Sequence, residues 1–389
     1  MSSRSVYSAG SASLSMASTT ARPLLEAFKK PVKSTPPMST WPKHYLRCRA
    51  SSPAMRCTLE SGVTLGYIVQ QGEGETTKDV VAFHGMLSSK WMWLLPSPPP
   101  GVRMISIDRF GHGDSDEDPG DQAMTMEQEL EYYLELMNTV GVREQFYLIG
   151  HSAGTTTCQC LAAKLSGSGR VLGVGLLGSF ADCQHVALDV PTLRRVRKKV
   201  PRYSKLTKVA RGGSCRKSMF GMRFNLLTPK NKSKDPGFAK KVRNLRKNDG
   251  GTKKKFDDFM NEPFIVASFL DSYLHGANSG KGSVGLVSRV YKGPWPFDVR
   301  TINAPVTCYH GDEDKAMSPL MPKIICTLVG ENGKIVWLEG HGHTTMFALY
   351  PKILHDLIGI PMPGDEKPFR HSSSEVPRSS KSFNAGVLQ

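Results

Sequence analysis

Five residues near the middle of the chain, Gly150-His151-Ser152-Ala153-Gly154, place a serine between glycines at a spacing suited to nucleophilic chemistry. A serine hydroxyl is a weak nucleophile, so it needs a base to take its proton, an acid to orient that base, and fixed donors for the oxyanion. The pentapeptide gains meaning from its setting, because the apolar run 145–149 precedes it and a helical pattern at 153–165 follows. A strand running directly into a helix is where a sharp, strained turn lifts a serine Oγ clear of a sheet, and small neighbours let the chain pass closely there. Two later stretches offer the remaining groups. Gly340-His341-Gly342-His343 presents two imidazoles just beyond the last strand-like run. Tyr309-His310-Gly311-Asp312-Glu313-Asp314 presents three carboxylates on the loop after another run.

Such groups act only if rigid elements bring them together. Short, near-continuous apolar runs at 80–83, 104–107, 145–149, 171–177, 305–309 and 334–338 read as strands buried on both faces. Helical patterns at 124–140 and 153–165 lie between them, and helical segments follow the last two runs. Alternating strands and helices predict an α/β fold with a mostly parallel central sheet flanked by helices. Residues 183–303 break the rhythm with Gly/Pro breaks and many basic residues, and read as a mainly helical insertion between two strands. The expected organisation is a tail over 1–57, a core over 58–182 and 304–360, the insertion at 183–303, and a loose tail over 361–389. Residues 1 to about 50 lack a packing pattern, so a chain starting near Met55 is expected to fold.

Several motifs arrive together and in order. His84-Gly85 ends the third strand, and Asp108-Arg109-Phe110-Gly111-His112-Gly113-Asp114-Ser115 matches a D-R-x-G-x-G-x-S turn after the next one. The serine turn, an acid and a late histidine follow. In these features the chain resembles the capped, serine-nucleophile, esterase-like α/β-hydrolases, over roughly 58–182 and 304–360. The resemblance implies a triad of Ser152, Asp314 and His343, with Asp314 preferred over Asp312 by the family's G-x-x-D spacing and His343 preferred over His341 by its place before the next helix. It implies an oxyanion hole built from the backbone N–H groups of Met86 and Ala153. His84 and His151 are read as supports for their turns, and Trp91 and Trp93 as core or pocket wall. The longer HGGG form is absent, which points to the branch with a single HG. A serine at the elbow sets the chain apart from the dehalogenases and epoxide hydrolases of this fold, which are expected to carry aspartate there. Carboxylic-ester hydrolysis is the leading expectation, with thioester, amide or carbon–carbon hydrolysis, perhydrolysis, or a non-catalytic receptor on the same scaffold as alternatives.

Composition bounds the rest. The 389 residues carry a net charge of +17, and the insertion alone holds 27 Lys/Arg against 8 Asp/Glu, while 58–182 holds 7 against 16. Two readings of that contrast stand. It holds the insertion to the core, or clusters such as Arg194-Arg195 and Arg197-Lys198-Lys199 draw the protein to an anionic membrane surface or an acidic substrate. No nucleic-acid motif accompanies the block, so nucleic acid is the weakest partner reading, and a small ester-like molecule is the expected substrate. No nucleotide-binding loop or metal-ligand pattern is present, so no cofactor and no metal are expected. The eight cysteines form no C-x-x-C pair, and no apolar stretch reaches the length of a membrane span. An intracellular protein is expected. The Ser-rich, acid-poor start reads as a plastid or mitochondrial transit segment or as a plain tail of a cytoplasmic protein.

Overall fold

The computed structural model describes residues 41–118, 124–182, 246–276 and 295–362, together with positions 285, 289 and 369. Most of the expected N-terminal tail, the basic cluster at 194–199 and nearly all of 361–389 lie outside these residues.

Eight strands form one sheet: β1 (Met55–Thr58), β2 (Thr64–Gln71), β3 (Lys78–Phe83), β4 (Val102–Ile107), β5 (Phe146–His151), β6 (Val171–Leu177), β7 (Val306–Gly311) and β8 (Gly333–Leu338). Their order is β1-β2-β4-β3-β5-β6-β7-β8. The first two steps are antiparallel and every later one is parallel. All six strands expected from apolar runs are present. Successive residues of a strand face opposite ways, so Val80, Met104 and Ile149 enter one core and Val81, Ile105 and Leu148 the other. Helices α2 (Met126–Thr139), α3 (Gly154–Lys164) and α6 (Leu320–Val329) cover the second face. On the first face lie α1 (Lys43–Ser51), α5 (Pro263–Gly276) and α7 (Tyr350–Ile358). The fold is the α/β architecture that the alternation of runs implies.

Local chemistry sets the helix starts. Thr125 and Gln128 close a reciprocal capping box at the head of α2, satisfying two N–H groups that would otherwise lack partners. Among the described residues no helix is long and apolar enough to cross a membrane.

Two departures from the sequence reading matter for function. Residues 41–57, expected to belong to the tail, are packed. Trp41, Tyr45 and Cys48 are buried, and Tyr45 Oη donates to Asp271 of α5 at 2.5 Å. The Arg49 guanidinium joins the same carboxylate at 2.6 Å and lies over the Trp91 ring. Nine residues with so few apolar positions carry too little period to be seen in sequence. The second departure lies in the insertion. Its described part contains the helices α4 (Lys253–Met260) and α5. Yet α5 is also welded to the loop after β3: Ser268 Oγ donates to Trp91 O at 2.6 Å, and Ser89 N donates to Ser272 Oγ at 3.0 Å. Arg289, also from the insertion, reaches Asp118 at 2.6 Å and Glu129 at 2.8 Å, with the three side chains turned away from solvent. Basic insertion and acidic core meet there as an ion pair.

Candidate active site

Ser152 follows the last residue of β5 and precedes α3, with φ 51°, a left-handed conformation rare for a residue with a Cβ. Its N–H donates to Leu177 O at 2.8 Å, tying the turn to β6. The flanking glycines are forced by sterics. A Cβ on Gly150 would stand 2.7 Å from Gly154 O, and one on Gly154 would collide with Phe83 O at the end of β3. Gly85 backs onto the turn so closely that a Cβ there would lie 3.1 Å from the Ser152 Cβ.

The loop after β3 carries a second strained residue, Leu87, with φ 62°. Among the described non-glycine residues, Ser152 and Leu87 alone have positive φ. They flank the two N–H groups expected to stabilise an oxyanion, those of Ala153 and Met86. Neither N–H has an acceptor among the described residues. Strain of this kind gathers where a fold holds donors for function.

His343 and Asp314 are brought together, with Nδ1 and Oδ2 at 2.8 Å. The other Asp314 oxygen accepts from the N–H groups of Ala316 and Met317, both at 2.8 Å, which fixes the carboxylate behind the ring. Burial pushes the Asp314 carboxyl up, but the His343 charge and hydrogen bond outweigh it and leave the carboxyl below its ordinary value. Burial likewise disfavours the His343 imidazolium, yet the Asp314 charge and hydrogen bond win and raise its pKa. His343 rests against the serine turn: its ring lies 4.8 Å from that of His151, whose Nε2 is 3.3 Å from His343 O.

The rival candidates point elsewhere. Asp312 Oδ1 accepts from Gly340 N at 2.7 Å, and His341 Nδ1 faces Thr345 O at 3.1 Å. Burial and the nearby Lys255 charge hold His341 down at about 4. His84 is spent on structure, with Nδ1 donating to Gly85 O at 2.7 Å and Nε2 accepting from Arg109 N at 3.0 Å. Burial holds it well below the ordinary histidine value, hence neutral. The D-R-x-G-x-G-x-S turn thus serves as a frame. Asp108 accepts from Lys90 N at 2.7 Å and Asp114 N at 2.9 Å, and the buried Lys90 ammonium closes the ion pair at 2.5 Å. Trp91 and Trp93 are core residues.

Three residues that shape these loops were not singled out in sequence: Leu87, Lys90 and Asp249, whose carboxylate accepts from the N–H of Thr344, next to His343. Nothing local marks the first two. Asp249 did carry a signal, as one of only 8 acids in the basic insertion and the residue directly before a Gly-Gly pair.

The α/β-hydrolase fold family model matches residues 79–341. Among solved structures, the chain is similar to an enol-lactonase from Burkholderia xenovorans, at 18% identity and TM-score 0.52, covering 78% of this chain and 100% of that one. It is similar to a thermophilic esterase from Thermogutta terrifontis, at 18% identity and TM-score 0.50, covering 79% and 97%. It is also similar to an epoxide hydrolase from Vigna radiata, at 13% identity and TM-score 0.52, covering 80% and 99%. At these identities the likeness is one of fold. A search of curated proteins gives no match.

Proposed function

Because this chain belongs to the α/β-hydrolase fold family, we propose that it is a serine hydrolase that cleaves a carboxylic ester or ester-like substrate through an acyl-enzyme. Ser152 Oγ attacks the carbonyl carbon while His343 Nε2 takes its proton. The tetrahedral oxyanion is held by the N–H groups of Met86 and Ala153. Collapse returns the proton from His343 to the leaving alcohol, and a water activated by the same imidazole then releases the acid. Asp314 holds the ring in the tautomer with its proton on Nδ1 and offsets the imidazolium charge.

The observation that carries this reading is the 2.8 Å pairing of His343 with Asp314 beside an elbow serine held at φ 51°. The unspent N–H groups beside the strained turns support the oxyanion assignment. The test is covalent labelling with a fluorophosphonate probe alongside turnover of a short-chain nitrophenyl ester. Wild type should label and turn over, and Ser152→Ala should lose both by about three or more orders of magnitude while keeping its melting transition. A Ser152→Ala protein that still labels or turns over normally refutes the assignment, and a wild type that does neither favours a ligand receptor.

A further inference from the structure

The segment after residue 245 returns to the core and passes between the two loops that carry Asp314 and His343. Its centre is Asp249, which is only 4% exposed. The main-chain carbonyl of Asp249 accepts from both loops, from His343 N at 3.2 Å and Lys315 N at 3.3 Å. The carboxylate is spent on the histidine loop: Oδ1 accepts from the N–H of Thr344 and, at 3.3 Å, from that of Thr345, while Oδ2 accepts from Thr345 Oγ at 3.3 Å. Further along, Thr252 N donates to Gly340 O at 2.8 Å. The fit admits no side chain on three glycines. A Cβ on Gly342 would collide with the Asp249 carboxylate, one on Gly250, at φ 98°, with Glu313 O, and one on Gly251 would stand 2.9 Å from Gly342 N.

We infer that Asp249 is a positioning residue, a clip that fixes the histidine loop against the acid loop and sets the orientation and basicity of His343. The inference rests on the assignment of His343 as general base. A carboxylate was spent here although burial makes it costly. Burial raises the Asp249 carboxyl against the opposing Thr344 N–H and the His343 charge. An apolar side chain would strand the N–H groups that meet this carboxylate, and an amide offers one acceptor oxygen where both carboxylate oxygens accept here. After Asp314, Asp249 is the next negative group acting to raise His343. Among the described residues, the other titratable groups acting on that ring are His151 and His310, both held below the ordinary histidine value by burial.

The experiment compares the second-order rate of fluorophosphonate labelling against pH in wild type, Asp249→Asn and Ser152→Ala, with a melting curve for each. Asp249→Asn keeps the shape and removes the charge. It should melt cooperatively and label about ten- to a hundredfold more slowly at the plateau, the loss expected when a reacting group is slightly misplaced. The acid limb should move to lower pH by about half a unit or more, because one charge favouring the imidazolium is gone. A purely structural role would lower the fraction of labelled protein and leave the limb in place. A folded Asp249→Asn with the wild-type rate and limb overturns the inference. If Asp249→Asn does not fold, Thr345→Val removes one hydroxyl tie to the same carboxylate. That variant should label several-fold more slowly, and a wild-type rate overturns the inference. Labelling that survives in Ser152→Ala would instead refute the serine assignment beneath it, a separate outcome.

Discussion

At residue scale, duplicated candidates expose what a spacing rule can and cannot carry. Asp312 and Asp314 are two apart, as are His341 and His343, so local composition leaves both pairs open. The structure gives each member a distinct partner, and only Asp314 and His343 face one another. We therefore expect Asp314→Asn and His343→Ala each to lower kcat for a nitrophenyl ester by about three orders of magnitude or more. Asp312→Asn should stay within about tenfold of wild type, since its Oδ1 can still accept from Gly340 N. His341→Ala should retain most of its rate too. Equal losses within either pair, measured at matched folded fraction, would show that these partners do not report on catalysis. The serine turn was legible because sterics demand glycine on both sides of it. Asp249 stood out only as an acid before a Gly-Gly pair, because the histidine-loop N–H groups its carboxylate meets belong to Thr344 and Thr345, 95 and 96 positions away, and no side-chain motif encodes such bonds.

At the scale of elements, the parallel strands were legible because burial on both faces leaves continuous apolar runs. Helix α1 was not, and it has a consequence for truncation. Starting the chain near Met55 removes the buried Trp41, Tyr45 and Cys48 and strips Tyr45 and Arg49 from the buried Asp271 carboxylate. Loss of one buried aromatic alone costs about 3–5 kcal/mol. The shortened protein should melt about 5 °C or more below the full chain, read by circular dichroism, and Tyr45→Phe should lose about 1 kcal/mol. An unchanged melting temperature in the truncated chain would show that α1 does not stabilise the body. The loop carrying Met86 is held in turn by Ser268 and Ser272 of α5. Truncation is thus expected to lower kcat as well as stability.

For the whole molecule, the charge contrast along the sequence resolves in part into buried pairing between insertion and core, as Arg289 joins Asp118 and Glu129. Its pH response is set by histidines kept neutral inside. Burial lowers His112 to about 4 and, together with Lys255, His341 to about 4, and lowers His84, His151 and His310 as well. Each folded pKa lies below its unfolded value, so the unfolded chain binds more protons on acidification. Stability should be full above about pH 6.5 and fall towards pH 4, at roughly 1.4 kcal/mol per unit for each such group. His343 and His275 are raised and oppose this, as do Asp108 and Asp249, but five groups outnumber these. Melting temperature should drop steadily between pH 7 and 5, and a flat profile there would show that the buried histidines do not govern acid unfolding.

The place where the insertion rejoins the core also bears on modularity. In sequence, 183–303 looks like a detachable cassette that could be exchanged for another without disturbing the sheet. Cutting at those ends would carry away Asp249 and α5, and with them the contacts that hold the loops of Met86, Asp314 and His343. Any exchange of the insertion must therefore leave Asp249 and α5 with the body that carries these loops.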